Sequence, residues 1–268
     1  MNRRTFVQGA LTTTVCTVAG ASGIAYGHDT HDLEVTRVPL TIGLSQPLRV
    51  ITLGDIHFDP LYEVEYITRV VETVNALRPD IILYTGDFIS AHADRVKYLA
   101  DLLSKAVAPL GCFAIPGNHE HWTGLELIMG SMAERAGIRT LINESVPLPG
   151  NKAFYLSGID SFWSGKPDMT LISRSPMTSR HIVLVHEPDS FAQLVDPRIK
   201  LQISGHTHGG QVRLPLFGAL VLPHMGKHYE AGLYERDGRK LYVNRGIGTL
   251  VPNLRINCRP EITVFELS

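Results

Sequence analysis

The chain has 268 residues, enough for one large α/β domain or two small ones with a sizeable core. Hydrophobic residues at 44% and charged residues at 19% are ordinary proportions for a globular protein. A formal net charge of −1 without a stripe of Lys and Arg argues against general electrostatic binding to nucleic acid, so no nucleic-acid specificity is expected.

The first 27 residues have the pattern of an export signal rather than of a folded element. Arg3 and Arg4 precede a weakly apolar segment, roughly residues 6–26, that contains no acidic residue. Adjacent arginines before such a segment, with small residues towards its end, favour a twin-arginine (Tat) signal peptide over residues 1–27. An uncleaved membrane anchor is the alternative. The Tat export machinery is then an expected partner, and the periplasm or the outer face of the cytoplasmic membrane is the expected location.

After an N-terminal extension over residues 28–47, strand and helix patterns alternate. The predicted strands are Leu48–Leu53, Asp80–Tyr84, Gly111–Ile115, His181–Val185, Ile199–Ser204, Leu241–Asn244 and Glu261–Leu267. The predicted helices are Glu63–Leu77, about Ala93–Val107 and Leu125–Ala136. Short apolar runs joined by crossover helices predict an α/β fold with a parallel sheet covered on both faces. No repeat or linker interrupts residues 48–268, so we expect one domain there.

Polar side chains follow five of these strands at the point where each strand ends. In chain order the strand ends carry Asp55-Ile56-His57, Gly86-Asp87, Gly117-Asn118-His119-Glu120, His186-Glu187 and Gly205-His206-Thr207-His208. Each one has an ordinary alternative, such as an Asp that caps a helix or a His that packs in the core. Ligand sites in open α/β sheets form beyond the carboxyl ends of the strands, and neutral imidazole is the commonest metal ligand. The agreement of all five strand ends therefore predicts a metal site.

This ordered set resembles the calcineurin-like metallophosphoesterase superfamily, whose pattern is D-x-H, G-D, G-N-H-[DE], H and G-H-x-H. Later stretches resemble more narrowly the YkuE/YaeI-type bacterial phosphodiesterases, namely Gly205–Val212, Ala231–Tyr234, Asn244–Thr249 and Arg255–Glu261. The resemblance spans about residues 48–268. It implies a metallophosphoesterase domain with a four-layer αββα sandwich fold, in which two β-sheets are flanked by helices.

The resemblance also implies two divalent metal ions per chain. The implied ligands are Asp55, His57 and His208 for one ion, Asn118, His186 and His206 for the other, and Asp87 as a bridge between them. All donors are nitrogen or oxygen, which suits Mn²⁺ as the first choice and Fe, Zn²⁺ or Co²⁺ as alternatives. The implied reaction is hydrolysis of a phosphate ester, above all a phosphodiester, by a metal-activated hydroxide with His119 as the general acid.

Several other residues keep two interpretations. Glu120 either supports His119 or is a helix-start carboxylate favoured by the helix dipole. Arg213 either contacts the substrate phosphate or is a solvated strand arginine. Cys112 and Cys258 either pack as small hydrophobes or form a single disulfide bridge.

Substrate choice is expected to depend on two loops, Ser161–Pro167 and Leu214–Tyr229. Their aromatic and Pro-rich segments either grip an apolar or lipid moiety or merely cover the core. His121 and Trp122 are expected to line the mouth of the site.

These features predict an exported, monomeric phosphohydrolase with two metal ions. One alternative is a lipid-linked pyrophosphohydrolase acting on lipids of the UDP-diacylglucosamine type. Export argues against it, because nucleotide-activated precursors are cytoplasmic. A second alternative is a metal-binding envelope module without turnover. The intact His119 argues against that one, because a protein that only binds metal has no need of a general acid.

Overall fold

The computed structural model describes residues 27–28 and 30–268. Apart from Gly27, the predicted Tat signal lies outside the described residues. None of the helices in the described ranges has both the length and the apolar character needed to cross a membrane.

The strands and helices follow the predicted alternation. The strands are β1 (Gly27–His28), β2 (Glu34–Leu40), β3 (Leu48–Leu53), β4 (Ile81–Tyr84), β5 (Cys112–Ala114), β6 (Arg139–Thr140), β7 (Glu144–Pro147), β8 (Phe154–Gly158), β9 (Arg180–Leu184), β10 (Ile199–Ser204), β11 (Arg213–Leu214), β12 (Gly218–Ala219), β13 (Gly232–Arg236), β14 (Arg239–Val243), β15 (Arg255–Ile256) and β16 (Glu261–Leu267). The α-helices are α1 (Val64–Leu77), α2 (Val96–Leu103), α3 (Asn118–Thr123) and α4 (Leu125–Ala136). Short 3₁₀ helices are formed by Ala93–Arg95, Ile172–Arg174, Pro188–Ala192 and His208–Gly210.

Two six-stranded sheets form the body of the protein. The first has the order β2-β16-β3-β4-β5-β6, and β3 to β6 run parallel within it. The second has the order β13-β14-β10-β9-β8-β7, with β8, β9, β10 and β14 parallel. Two β-sheets with helical layers outside them confirm the predicted sandwich.

The alternation of side chains along β4 shows how the layers are held together. Ile81 and Leu83 pack between the two sheets, in the same cluster as Ile203 of the second sheet. Ile82 and Tyr84 point the other way, into the cluster that includes buried residues of α1, α2 and α4. Because both faces of this strand are buried, its sequence is an unbroken apolar run, as expected for a parallel strand.

The outer face of the second sheet is covered more thinly. Ile172 and Phe191, both from 3₁₀ helices, pack in the two small clusters on this side. The fourth layer of the sandwich therefore consists of short helical turns and loops in the described part of the chain.

β2 is one of several strands that were not predicted, and it is longer than the others, such as β13. β2 lies in the segment assigned to the N-terminal extension, yet it pairs in parallel with β16 along its whole length. Val38 and Leu40 are buried in the core between the sheets. No residue in the first half of β2 is buried, and Pro39 disfavours a strand assignment from sequence. An edge strand of this kind gives little periodic signal, because only part of one face is buried.

Candidate metal centre

The carboxyl ends of five strands meet at one edge of the sandwich. β3, β4 and β5 come from the first sheet, and β9 and β10 from the second. The loops that follow them bring all seven predicted ligands into buried positions, namely Asp55, His57, Asp87, Asn118, His186, His206 and His208. The ligand atoms of Asp55, His57 and His208 lie within 4.8 Å of one another, and so do those of Asp87, His186 and His206.

The backbone at this edge is strained. Five of the seven predicted ligands have positive φ angles although none is glycine, namely Asp55 (48°), His57 (48°), Asp87 (55°), His206 (74°) and His208 (51°). A non-glycine residue in this region costs on the order of 1–3 kcal/mol, and such residues cluster at functional sites. All five residues belong to the two clusters of ligand atoms.

The first cluster is built around two facing imidazoles. His57 Nε2 lies 3.1 Å from His208 Nε2, and His208 Nε2 lies 3.9 Å from Asp55 Oδ1. At its far side, His57 Nδ1 hydrogen-bonds the Ser90 hydroxyl at 2.9 Å. Ser90 thereby fixes the plane of the His57 ring, the usual role of an outer partner to a metal-ligating histidine.

In the second cluster, two backbone carbonyls fix the histidine tautomers. His186 Nδ1 donates to the Thr85 carbonyl at 2.7 Å, and His206 Nε2 donates to the His224 carbonyl at 2.7 Å. A carbonyl can only accept, so the other nitrogens, His186 Nε2 and His206 Nδ1, carry lone pairs when both rings are neutral. These two nitrogens face each other at 3.2 Å.

This donor set fits divalent metal ions. Two facing lone pairs favour a cation between them, and the raised pKa of His186 shows that one of these nitrogens attracts positive charge. Two side-chain oxygens, Asp55 Oδ2 and Asn118 Oδ1, are buried without a hydrogen-bond partner, which is unusual for buried polar atoms. Nitrogen and oxygen donors without thiolate suit Mn²⁺, Fe, Zn²⁺ or Co²⁺.

The electrostatics of three imidazoles favour the ligating form. Burial lowers the pKa of His57 to about 3 and that of His206 to about 4. Burial also brings the pKa of His208 well below its usual value. These rings are therefore neutral at physiological pH, as a metal-ligating histidine must be.

The two carboxylates and His186 behave differently from those three rings. Burial raises the pKa of Asp55 to about 7, so its ionised form needs a cation nearby. Burial alone would also raise the pKa of Asp87, but His186, 3.1 Å away, holds it well below the usual range. The pKa of His186 is raised well above its usual value, because Asp87 and other carboxylates outweigh the effect of burial. Asp87 is thus ionised between the two clusters, where a bridging ligand belongs.

Glu120 holds the Asp87 loop in place. Its carboxylate is fully buried and accepts backbone N–H bonds from Asp87 (2.8 Å), Phe88 (2.8 Å) and Gly117 (2.7 Å). It is the third residue of α3 and bonds to the residue before that helix. Of the two interpretations, the geometry favours the helix-start carboxylate, with the added effect of tying the loops after β4 and β5 together.

His119 lies beside both clusters. Its Nδ1 is 3.1 Å from the Ser90 carbonyl, to which it can only donate, so Nε2 remains free for chemistry. Its ring packs edge-on against His57 at 4.7 Å between centroids. A ring nitrogen of His119 also lies within 4.8 Å of ligand atoms of His57 and Asp87. Sequence reasoning missed Ser90, which holds both histidines from the loop after Asp87.

Two tryptophans line the mouth of the site. Trp122 packs against His119, and Trp163 packs edge-on against both Trp122 (4.8 Å) and His206 (5.6 Å). Trp163 belongs to the predicted substrate loop. Glu187 fixes that loop by accepting backbone N–H bonds from residues 162 and 163. Sequence reasoning gave Glu187 no role, although it directly follows His186.

His121 also stabilises this region rather than only lining the mouth. Its Nε2 lies 2.6 Å from Asp160 Oδ1, at the base of the loop that carries Trp163. The hydrogen bond to Asp160 raises the pKa of His121.

A cavity of about 350 Å³ opens beside the first cluster. The metal-side wall includes His57 and Ser90, and the outer wall includes Tyr62, Arg95 and Val251.

The structure also bears on Arg213, Cys112 and Cys258, for which the sequence left two interpretations. Arg213 donates to the Gly209 carbonyl (2.8 Å) and to Glu230 (2.9 Å), and its side chain is partly exposed. Cys112 and Cys258 are both free. The thiol of Cys258 is buried and contacts the His208 carbonyl.

Arg255 was named from the sequence only as the start of the family-like stretch Arg255–Glu261 and was given no role, yet its side chain is fully buried behind the first cluster. Its guanidinium donates to the carbonyls of Arg245 (2.8 Å) and Gly248 (2.6 Å), and one nitrogen lies 3.4 Å from the His208 carbonyl. Arg255 therefore braces the segment that packs on Asp55 and the loop that carries His208.

Comparisons with known proteins show the family to which this chain is similar. A family model described as calcineurin-like phosphoesterase matches residues 48–210, the range that contains all seven predicted ligands. The chain is 33% identical to the metallophosphoesterase YkuE of Bacillus subtilis (strain 168), covering 100% of this chain and 98% of the relative. It is 32% identical to phosphodiesterase YaeI of Escherichia coli (strain K12), covering 100% of this chain and 99% of the relative. A metallophosphoesterase of Aquifex aeolicus (strain VF5) is 25% identical, covering 91% of this chain and 95% of the relative.

Proposed function

The chain belongs to the calcineurin-like phosphoesterase family, and from that premise we propose that it is an exported, two-metal phosphodiesterase. Family membership makes it a hydrolase of phosphate esters; the diester substrate, the residue roles and the export are the proposal. The observation that carries it is the convergence of two Asp/His clusters next to a histidine that ligates neither in this scheme. YaeI, which the chain matches over its full length, is itself called a phosphodiesterase.

In this proposal each residue of the centre has one role. Asp55, His57 and His208 would hold one ion, Asn118, His186 and His206 the other, and Asp87 would bridge them. When bound, two divalent ions neutralise charge on the phosphoryl oxygens and lower the pKa of the attacking water. The chain itself contributes orientation: Ser90, Thr85 and His224 fix ring planes, and Glu120 fixes Asp87.

His119 is the proposed general acid. Ester hydrolysis needs a proton on the leaving oxygen, and His119 Nε2 is free to carry it because Nδ1 is bonded to the Ser90 carbonyl. The same bond orients the ring, so the proton is delivered from a fixed position. A metal-binding module without turnover would have no use for this arrangement, which disfavours that alternative.

The activity test uses bis-p-nitrophenyl phosphate and protein reconstituted with Mn²⁺. We expect Asp87→Ala and His208→Ala to lower the rate at least a hundredfold, beyond the roughly ten- to hundredfold typical of residues that only support a metal ligand. Asp94→Ala and His228→Ala are the matched controls, since they remove the same residue types from exposed positions outside the clusters.

The outcomes separate the candidate functions. Equal rates in wild type and all four variants would refute the site assignment. Two ions per chain without hydrolysis of any mono- or diester would favour the metal-binding module. Cleavage of a nucleotide-sugar lipid at its pyrophosphate, without cleavage of simple diesters, would favour the lipid-linked pyrophosphohydrolase.

Export by the Tat route is proposed from the sequence of residues 1–27. The mature chain would then consist of the extension 28–47 and the domain 48–268. Cell fractionation tests this: replacing Arg3 and Arg4 by lysine should retain the protein in the cytoplasm. Unchanged export of that variant would contradict the Tat assignment.

A further inference from the structure

An unusually exposed apolar segment projects from the edge that holds the metal centre. Residues 214–221, here called the apolar hairpin, connect and follow the short antiparallel strands β11 and β12. Leu216 at its tip is 103% exposed, Phe217 is 83% exposed and Val221 is 76% exposed. No charged residue occurs from Leu214 to Pro223. Single exposed apolar residues are normal, but a contiguous group of this kind marks an interaction surface.

The hairpin is built onto the loop that carries His208. The Leu220 N–H donates to the Val212 carbonyl at 3.1 Å, which closes its base. A Cβ on Gly210 would lie 2.2 Å from Ala219 Cβ, so the hairpin packs directly on the metal-ligand loop. The exposed apolar tip therefore extends from a base that is fixed by a backbone hydrogen bond and by packing on the metal-ligand loop.

A second apolar loop stands next to it. Gln211 binds this loop from both sides: its amide donates to the carbonyls of Leu250 (2.9 Å) and Pro252 (2.7 Å) and accepts from the Leu250 N–H (2.9 Å). Between them Val251 is 92% exposed. Val251 is also part of the outer wall of the cavity that reaches His57. The apolar surface thus continues to the opening of the catalytic site.

Gly27, the first residue that the structure describes, is linked to the base of the hairpin through Ile256. Gly27 of β1 pairs with Ile256 of β15, and Ile256 in turn forms a bridge to Val212 at the base of the hairpin. The sequence before Gly27 is weakly apolar over residues 6–26 and free of acidic residues.

We propose that the apolar hairpin is a membrane-surface contact, with Leu216 and Phe217 placed among the acyl chains of a lipid bilayer. Apolar elements that lie at a membrane surface enter the bilayer to a depth of about 5–10 Å, where the headgroups meet the acyl chains. In that orientation the cavity beside His57 faces the headgroup layer, which carries phosphodiesters. A second protein seated on this rim would cover the cavity, whereas a lipid surface supplies substrate to it. The membrane contact is inferred from the exposed apolar surface alone. The choice of phospholipid headgroups as substrate rests in addition on the proposed function.

Vesicle binding of the full chain tests the docking. Flotation with phosphatidylethanolamine/phosphatidylglycerol vesicles compares wild type with Leu216→Asp/Phe217→Asp. We expect binding to fall about tenfold or more for each anchor removed. The matched control is Met177→Asp/Val195→Asp, which changes two exposed apolar residues (81% and 66%) at the amino ends of β9 and β10, away from the metal centre. It should bind like wild type.

A second measurement reports on the hairpin even if another part of the chain also binds lipid. Phe217→Trp adds a tryptophan at the tip, and Met177→Trp adds one at the opposite edge. Lipids brominated in the acyl chains should quench the added fluorescence of Phe217→Trp and not that of Met177→Trp. Absence of extra quenching in Phe217→Trp would overturn the proposal, as would equal vesicle binding by the double Asp variant and wild type.

The remaining outcomes keep docking and catalysis apart. Hydrolysis of soluble bis-p-nitrophenyl phosphate should be unchanged in Leu216→Asp/Phe217→Asp, while hydrolysis of vesicle phospholipid should fall with binding. A wild type that dimerises in solution through the hairpin and ignores vesicles would overturn the proposal in favour of a second copy of the chain. If wild type binds vesicles through the hairpin but hydrolyses no diester, the docking stands and the proposed function fails.

Discussion

Replacing Gly117 by alanine adds one methyl group at a crowded point of the metal centre. The new Cβ would lie 2.2 Å from Asp87 Oδ1 and 2.8 Å from His186 Cε1, whereas ordinary contacts begin at 3.4 Å. The φ angle of Gly117 is −102°, which alanine adopts freely. The effect of the substitution therefore comes from the steric contact of the new Cβ and not from backbone strain. Either the Asp87 carboxylate or the loop has to move by about 1 Å.

Two magnitudes follow from that movement. Overpacking of this kind typically costs about 1–3 kcal/mol in the free energy of unfolding. A displacement of about 1 Å at a catalytic centre costs roughly a hundredfold in rate. Since Asp87 is the proposed bridge, we also expect fewer than two ions per chain.

The assays are urea unfolding of the metal-free protein, metal counting and hydrolysis of bis-p-nitrophenyl phosphate. Gly130→Ala is the matched control, because Gly130 lies within α4 and a Cβ there meets nothing within 4 Å. That variant should gain about 0.5–1 kcal/mol from helix propensity and keep full activity. A Gly117→Ala protein with two ions, wild-type stability and wild-type rate would refute the packing argument and the place given to Asp87.

Further predictions concern four histidines. His119→Ala should retain both ions but lose about 10²–10⁴-fold in rate on an alkyl diester. The loss should be much smaller on p-nitrophenyl esters, because their leaving group needs little protonation. Undiminished turnover of the alkyl diester would show that His119 is not the general acid. His206→Ala and His208→Ala should each weaken the binding of a different ion. Metal counting should therefore give about one ion per chain in either variant and none in the double variant. Loss of both ions in each single variant would contradict separate sites. Burial lowers the pKa of His181 to about 4, so its neutral form stabilises the fold above pH 6.5 and this contribution is lost as pH falls from 6.5 towards 4. Urea unfolding should therefore show a smaller acid-dependent loss of stability in His181→Leu than in wild type, and parallel profiles would contradict this.

The apolar strands and the motifs at their ends were predictable from the sequence alone. β3, β10 and β16 have the predicted boundaries, and so does α4, because buried apolar runs and a helix-terminating Gly137 are local signals. The residue types at the strand ends also indicated nitrogen and oxygen ligands for metal ions, since that chemistry depends on composition and order rather than on distance.

Elements whose stability comes from distant contacts were not predictable in this way. β2 is held by β16, more than 220 residues away in the chain. α3 has six residues, too few to show a helical period, and four of them are His, Glu, His and Trp selected for the site. Ser90, Glu187 and Arg255 were missed for a related reason, because a single polar residue carries no pattern that reveals what it will contact.

The sequence by itself determined which chemical groups stand at the five strand ends, because an apolar run followed by a Gly-Asp or Gly-His turn is encoded locally. Only the tertiary structure decided how those groups are used. The carbonyls of Thr85 and His224 select which nitrogen of His186 and of His206 faces the centre. Left-handed backbone at five ligands aims their side chains at two points, and Gln211 joins the apolar hairpin to the cavity wall. Orientation depends on packing between two sheets, and no local pattern in the chain specifies it.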